Sequence, residues 1–148
     1  MAANPSTEPC RYCTATPAEL DSQMALVTEL AHSRVFLVRD QTHPGRCVVL
    51  LKRHARELFE LAPDELAAFM AEVARVAQVV HRLSGCDKLN YAVYGDLSPH
   101  LHVHIVPKWR GGAAWGEPFV LKPVEGVFLA PEAFAQTLLN LKQGVEIE

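Results

Sequence analysis

The sequence predicts an α+β fold: an antiparallel sheet of about five strands, one long helix packed on it and a second helix near the C-terminus. Two observations lead to this prediction. Short apolar stretches, the pattern of strands, stand before and after one long amphipathic stretch, residues 63–83. The connections that contain Gly45 and Gly95 are short enough to join antiparallel neighbours.

The length and composition fit one globular domain. A chain of 148 residues with 49% hydrophobic and 21% charged residues can bury a substantial core. We expect residues 10–148 to form this domain. Residues 1–9 are small and polar and include two prolines, so we expect a flexible N-terminal tail there.

The charge and the apolar runs argue against two kinds of partner. With a net charge of -3, the chain lacks the basic character of a duplex binder, so we expect no stable nucleic-acid partner. No apolar run approaches the length of a membrane span, and the N-terminus does not resemble a secretory signal. We therefore expect a cytoplasmic protein, in which the cysteines are thiols or metal ligands.

The elements before the long helix are mostly strands. After a helical turn within residues 14–22, apolar stretches predict strands at 25–30, 34–39 and 46–52. The last of these is almost continuously apolar, which favours a central position in the sheet. Residues 40–45 have the composition of a turn.

The long helix carries its own start and stop signals. Pro63 suits the first helical position, Asp64 and Glu65 suit its positive end, and Gly85 ends it. One apolar stripe would pack on the sheet, formed by Leu66, Phe69, Met70, Val73, Val76, Ala77 and Val80.

Shorter elements complete the fold. Residues 54–61 have the composition of a short helix, 88–94 and 100–106 predict strands, and 131–142 predict the C-terminal helix. Residues 95–99 form a tight connection between the last two strands.

The stretch 100–106 alternates histidine with apolar residues over its first six positions. Because successive strand residues point to opposite faces, we expect the apolar residues in the core and the three imidazoles together on one exposed face. Three alternating imidazoles predict a functional site, since imidazole acts as nucleophile, acid, base or metal ligand near neutral pH. The apolar residues are Leu101, Val103 and Ile105, and the imidazoles belong to His100, His102 and His104.

Geometry favours His102 as a nucleophile towards phosphorus, because a histidine on each side of it could donate to phosphate oxygens. The alternative is a metal held by all three histidines. The outer two would lie roughly 13 Å apart on a strand, which suits a single ion poorly.

The pattern His-apolar-His-apolar-His followed by two apolar residues resembles the signature of the histidine-triad (HIT) nucleotide hydrolases and transferases. The resemblance implies a HIT-like fold, usually a homodimer, and purine nucleotide substrates of the form nucleoside-phosphate-X. It implies that His102 becomes covalently nucleotidylated, that His104 contacts the α-phosphate, and that His100 completes the triad. The chemistry it implies needs no cofactor.

Cys10 and Cys13 form a Cys-x-x-Cys pair, which indicates either half a zinc site or a redox pair. The resemblance to zinc-bearing HIT proteins implies one structural zinc per chain, held by this pair together with His54 and His100. The alternative is an exposed pair in a mobile tail.

Two features depart from the family pattern. Gly45-Arg46 stands where many HIT enzymes have Gly-His, so Arg46 is either a phosphate donor or a surface arginine that caps the turn. The loop before the triad differs from the family's and offers Ser98 as its best hydroxyl.

Arg39 and Asp40 lie near the family's ribose position, where Asp40 either accepts from the sugar or starts the turn.

Trp109 and Trp115 lie beyond the triad, followed by Phe119 and Phe128. A small domain could hardly bury all four rings, so we expect them at a dimer contact, and the two tryptophans either there or stacked on a nucleobase. The alternative is that the four rings pack on their own domain.

The sequence thus predicts a nucleotide-binding hydrolase that works through a nucleotidyl-histidine on His102. Its substrates would be phosphoramidates, dinucleoside polyphosphates or adenylylated compounds. Two other hypotheses are a nucleotide-binding regulatory protein with little turnover and a zinc-stabilised interaction module.

Overall fold

A computed structural model describes residues 9–147, so residues 1–8 of the predicted tail lie outside the described residues. The strands are β1 (Met24–Glu29), β2 (Ser33–Val38), β3 (Cys47–Leu51), β4 (Lys88–Ala92) and β5 (His102–Lys108). They form one antiparallel sheet in the order β1-β2-β3-β5-β4, which confirms the predicted sheet. The central position predicted for β3 is correct, and all its side chains are buried.

The long helix, α3 (Pro63–Ser84), has nearly its predicted bounds. Gly85 caps it in the left-handed conformation with φ 62°, and its N–H donates to the carbonyl of His81. The apolar stripe packs on the sheet except for Met70, which is exposed. The buried residues of this helix are Phe69, Val73, Val76, Ala77, Val79 and Val80.

The C-terminal helix, α4 (Pro131–Ile147), is longer than predicted because it continues through Gly144. Gly144 permits close packing of α3 and α4: a Cβ there would lie 2.5 Å from Cγ1 of Val79. Among residues 9–147, none of the helices combines the length and apolar character needed to cross a membrane.

The N-terminal part contains two short helices, α1 (Arg11–Thr14) and α2 (Pro17–Asp21), where one helical turn was predicted. Thr16 and Glu19 form a reciprocal capping box that starts α2. The predicted short helix at 54–61 is a single 3-10 turn, Leu58–Glu60.

The sheet has two different faces. One packs against α3 and α4 and carries the main core, which includes Leu37, Val49 and Ile105. The other carries a smaller apolar cluster formed by Leu20, Met24, Phe36, Val48 and Leu50. The register pairs Val48 with His104 and Leu50 with His102, so this second face is the histidine face.

Candidate active site

The three triad histidines are buried, which corrects the expectation of an exposed histidine face. His100, His102 and His104 expose only 1%, 4% and 7% of their surfaces. His100 precedes β5, which begins at His102. Aromatic rings cover the triad: Tyr12 lies against His102, and Phe119 lies against His104. The apolar residues between the histidines enter the core, as predicted.

The backbone fixes the tautomer of His102. Its Nδ1 lies 2.6 Å from the carbonyl oxygen of His100, and a carbonyl can only accept, so Nδ1 carries the proton. Nε2 of His102 is left unprotonated in the neutral ring. Burial lowers the pKa of His102, which keeps the ring neutral near neutral pH, although its hydrogen bond to His100 opposes this shift. A neutral imidazole with a free Nε2 can act as a nucleophile.

The His100 side chain points away from this chemistry. Its Nε2 lies 2.7 Å from the carbonyl oxygen of Leu51 and donates to it. Its Nδ1 therefore carries the lone pair, and it lies 3.3 Å from Sγ of Cys10 and 3.5 Å from Sγ of Cys13. Both ring nitrogens thus face partners other than His102 and His104, and His100 reaches His102 through its backbone carbonyl.

The four predicted zinc residues come together. The ligand atoms of Cys10, Cys13, His54 and His100 all lie within 4.8 Å of one another, and Cys13 Sγ is 3.6 Å from His54 Nδ1. A tetrahedral zinc with bonds of about 2.0 Å to nitrogen and about 2.3 Å to sulfur separates its ligands by about 3.3–3.8 Å. Two thiols and two imidazoles at these distances fit a structural zinc.

His104 is held between aromatic rings and a guanidinium. Nη2 of Arg46 lies 3.3 Å from its Nδ1, and the rings of Tyr94, Phe119 and His102 surround it. Burial, with smaller effects from the positive Arg46 and from His102, lowers the pKa of His104 to about 3. His104 is therefore neutral at physiological pH.

Arg46 is not a surface arginine that caps the turn, because only 6% of it is exposed. Its Nη1 donates to the carbonyl of Leu121 at 3.2 Å, and its guanidinium lies 5.3 Å from the ring centre of Phe119. Among the described residues, its buried Nε has no hydrogen-bond partner. Burial lowers the pKa of Arg46, partly offset by the charge of Asp40.

The predicted ribose contacts are already engaged. Arg39 forms a salt bridge of 2.8 Å with Asp21. Asp40 accepts hydrogen bonds from Thr42 and from the Val127 N–H. The pKa of Asp40 is lowered: burial raises it, but these hydrogen bonds and the charge of Arg46 outweigh that effect.

Ser98 lies in the loop before the triad and is partly exposed. Its hydroxyl has no hydrogen-bond partner within the described part of the chain. Its carbonyl accepts from the N–H of His100 at 2.7 Å, which fixes the loop against the start of the triad.

Residues 19–111, more than half of the chain, match the family model of the HIT domain. The chain belongs to the HIT domain family. This assignment agrees with the triad motif and with the sheet on which the motif lies.

Relatives and solved structures support the assignment. This HIT protein is 32% identical over 116 residues, 74% of its length, to an AP-4-A phosphorylase of Mycobacterium tuberculosis, and the match spans only 60% of that relative. A histidine triad protein from Bradyrhizobium japonicum superposes with a TM-score of 0.79 and 27% identity, covering 88% of this chain and 97% of the other. A zinc-bound histidine triad family protein from Mycobacterium smegmatis shares the fold, with a TM-score of 0.61 and 18% identity over 93% of this chain and 94% of the other.

The sequence did not place three residues near the triad of this HIT protein, namely Tyr12, His43 and Phe119, the last of which was expected at a dimer contact. The ring of Tyr12 lies 5.4 Å from that of His102, and burial raises the pKa of Tyr12. His43 is buried and its Nε2 accepts from the Val120 N–H at 3.0 Å. Phe119 packs on His104. The position of Tyr12 between the two cysteines was the available signal, because a metal at His100 would bring that residue to the triad.

Proposed function

We propose that this HIT protein cleaves nucleoside-phosphate-X substrates through a covalent nucleotidyl-histidine on His102 and releases a nucleoside monophosphate. The observation that carries the proposal is the 2.6 Å contact between Nδ1 of His102 and the carbonyl of His100. This contact leaves Nε2 as a free lone pair on a neutral, buried ring, which is the state an attacking imidazole needs.

The reaction has two displacement steps. In the first, the lone pair of Nε2 of His102 forms a bond to the α-phosphorus while the bond from phosphorus to X breaks, and X leaves with the electron pair and takes up a proton. In the second, water attacks the same phosphorus, the P–Nε2 bond breaks, and the lone pair returns to His102. The nucleoside monophosphate carries the water oxygen, and the water proton passes to solvent.

His104 would stabilise the charge on the phosphate. Its neutral ring lies beside that of His102, with ring centres 5.1 Å apart. A neutral donor aimed at a phosphate oxygen strengthens its hydrogen bond as negative charge develops there. His100 would contribute through its carbonyl, which orients His102.

The substrate contacts are proposals of the same kind. Ser98 supplies a free hydroxyl at the loop, whereas Arg46, predicted as a phosphate donor, supplies positive charge beside His104 and contacts that ring. Arg39 and Asp40 would have to exchange their present partners, Asp21 and Thr42, for the ribose.

The relatives favour a purine nucleotide with a phosphate leaving group. The Mycobacterium tuberculosis relative is an AP-4-A phosphorylase, and the matched region spans 60% of its length. We therefore propose dinucleoside polyphosphates and adenosine phosphoramidates as the first substrates to test.

We propose one structural zinc per chain, held by Cys10, Cys13, His54 and His100. The distances between their ligand atoms and the zinc-bound relative from Mycobacterium smegmatis support this proposal. Zinc would tie α1 to the start of β5 and would take no part in the displacement steps.

A second candidate is a nucleotide-binding regulatory protein with little turnover. It is favoured by the burial of His102, which exposes only 4% of its surface beneath Tyr12. Turnover requires the substrate to reach Nε2, and this protein would bind nucleotide without that access.

Mass spectrometry of the protein mixed with adenosine phosphoramidate or a diadenosine polyphosphate separates the two candidates. An adenylyl adduct on His102 together with AMP release supports the enzyme, and His102→Ala should abolish both. Bound nucleotide without adduct or AMP release favours the regulatory protein.

A further inference from the structure

Nδ1 of His104 has a hydrogen-bond partner that can only donate. Nη2 of Arg46 lies 3.3 Å from Nδ1 of His104, and the guanidinium has five N–H donors and no acceptor. We propose that Arg46 is a positioning residue that donates to Nδ1 of His104 and so holds His104 as the neutral Nε2–H tautomer. This inference rests on the proposed function, in which Nε2–H of His104 donates to the substrate phosphate.

The direction of this hydrogen bond follows from the donor-only character of arginine. If Nδ1 of His104 carried the proton, two N–H groups would face each other at 3.3 Å in a buried site. The rings of Tyr94, Phe119 and His102 also contact His104, with ring centres 5.1–5.9 Å away. Among the described residues, the hydrogen-bond partner of Nδ1 of His104 is Arg46, which cannot accept, and this favours the Nε2–H form.

Arg46 is itself held in place. Its Nη1 donates to Leu121, its guanidinium lies over the ring of Phe119, and its carbonyl accepts from the Val38 N–H at 3.1 Å. The preceding residue, Gly45, has φ 81°, which a residue with a side chain would adopt only with strain. The turn thus leads Arg46 onto the histidine face, two residues before Val48, the register partner of His104.

This arrangement separates a positioning role from direct phosphate binding. Two of the three guanidinium nitrogens of Arg46 already have partners, and only 6% of the residue is exposed. A direct phosphate ligand that binds substrate and transition state equally would raise KM when it is lost. The loss of a positioning residue lowers kcat, because the donor on His104 is then present in only a fraction of molecules.

The inference also explains what an arginine does where the family pattern has histidine. A histidine at position 46 could donate or accept, depending on its own tautomer, and would leave the tautomer of His104 open. An arginine donates at every pH at which the protein is folded. With arginine at position 46, the tautomer of His104 therefore does not depend on the protonation state of its neighbour.

The first test is the tautomer itself. Nitrogen-15 NMR of the histidine-labelled wild-type protein, without substrate, distinguishes a protonated Nε2 from a protonated Nδ1. We expect Nε2–H at His104, and Nδ1–H there overturns the proposal. Because this measurement needs no turnover, it decides the tautomer even if every candidate substrate is left uncleaved, an outcome that would count against the proposed function alone.

The second test uses variants. Arg46→Met keeps most of the apolar stem and removes every donor, so we expect a mixed His104 tautomer, kcat reduced at least about tenfold and KM within about twofold of wild type. Arg46→Lys, which retains a donor-only cation, should restore the Nε2–H form and most of kcat. Arg75→Met is the matched control: Arg75 lies on α3 and also has a buried, unpartnered Nε among the described residues. Arg75→Met should leave both the His104 tautomer and kcat unchanged.

Two results of the variant test contradict the proposal: an unchanged kcat in a folded Arg46→Met protein, or a loss that appears mainly in KM. If Arg46→Met does not fold, Arg46→Lys and the wild-type spectrum decide the question. An Nδ1–H form of His104 in either protein overturns the proposal.

Discussion

Nδ1 of His102 lies 2.6 Å from the carbonyl oxygen of His100, two residues earlier in the chain. One backbone carbonyl thus determines which nitrogen of the proposed nucleophile is free. His100 directs its side chain to Cys10 and Cys13, so the same residue contacts two proposed zinc ligands and the proposed nucleophile.

Replacement of His102 by alanine removes the attacking atom. We expect His102→Ala to lower AMP release at least about a thousandfold, because no other group in the site takes over a lost nucleophile. Nucleotide binding should persist, as measured by calorimetry. His104→Ala is the comparison and should retain more activity, since it removes a stabilising donor only. Wild-type rates in His102→Ala would show that the nucleophile is a different residue.

Removal of the metal should destabilise the fold. Purified protein should contain about one zinc per chain. A ligand present at 100 times its Kd raises the free energy of unfolding by about 2.7 kcal/mol, which corresponds to about 5–10 °C in Tm for a chain of this length. We therefore expect chelator or Cys10→Ser to lower Tm by several degrees and Cys10→Ser to lower zinc content. The matched control is Cys86→Ala, a buried thiol outside the metal group, which should keep its zinc. Full zinc content in Cys10→Ser would contradict the site.

The stability of the protein should fall in acid. The pKa of His104 is about 3 in the folded protein, whereas its ordinary value is 6.5, so between these values the unfolded chain binds one more proton. The contribution of His104 is complete above about pH 6.5 and is lost as the pH falls towards 3, at about 1.4 kcal/mol per pH unit. Burial lowers the pKa of His43 and His102 too, which adds to the effect in the same direction.

Urea unfolding between about pH 7.5 and pH 5 measures this dependence. His104→Gln should reduce the slope of the unfolding free energy against pH by the equivalent of about one bound proton, since glutamine does not titrate. An identical slope in wild type and His104→Gln would show that His104 titrates normally in the folded state.

We expect a homodimer in solution. Light scattering at micromolar concentration should give twice the chain mass of 16.4 kDa. The sequence suggested a dimer because four aromatic rings are more than one small domain could readily bury. Two of them are accounted for within the chain, since Trp109 packs on the core and Phe119 on His104. Of the four rings that the sequence singled out, Trp115 and Phe128 are exposed, at 37% and 70%. A mass of 16.4 kDa would exclude a stable dimer.

We expect Trp115 to reach the nucleotide of the partner subunit in such a dimer. In the single chain its ring lies 5.4 Å from the guanidinium carbon of Arg110, on the surface. If a base stacks on it, Trp115→Ala should raise KM several-fold, because base–aromatic stacking is worth about 1–3 kcal/mol. An unchanged KM would show that Trp115 does not contact the substrate.

The sequence predicted what depends on periodicity. Alternation located β5, the apolar stripe located α3, and Pro63 and Gly85 marked the ends of that helix to within a residue. The predicted end of α4 at residue 142 was wrong, because the helix continues through Gly144. A glycine usually disfavours a helix, and the need for one here is visible only in the close approach of Val79.

The cover over the triad could not be predicted in the same way. Tyr12 and Phe119 reach the histidines from a four-residue helix and from a loop, neither of which has a period. The burial of His102 and the environment of Arg46 are therefore tertiary properties. The family pattern supplied the four residues of the proposed zinc site, whereas the distances between their ligand atoms required the fold.

The sheet of this protein separates a surface on which solubility could be changed from the face that carries the proposed site. The helices α3 and α4 cover one face and the histidines lie on the other, with the backbone layer between them. Met70 on α3 and Leu139 on α4 are exposed apolar residues on the helical side. Substitutions there share no partner with Ser98 or Tyr12, and effects at distant sites without shared partners add within about 0.5 kcal/mol. Solubility could thus be improved on one side of the sheet while substrate range is evolved on the other.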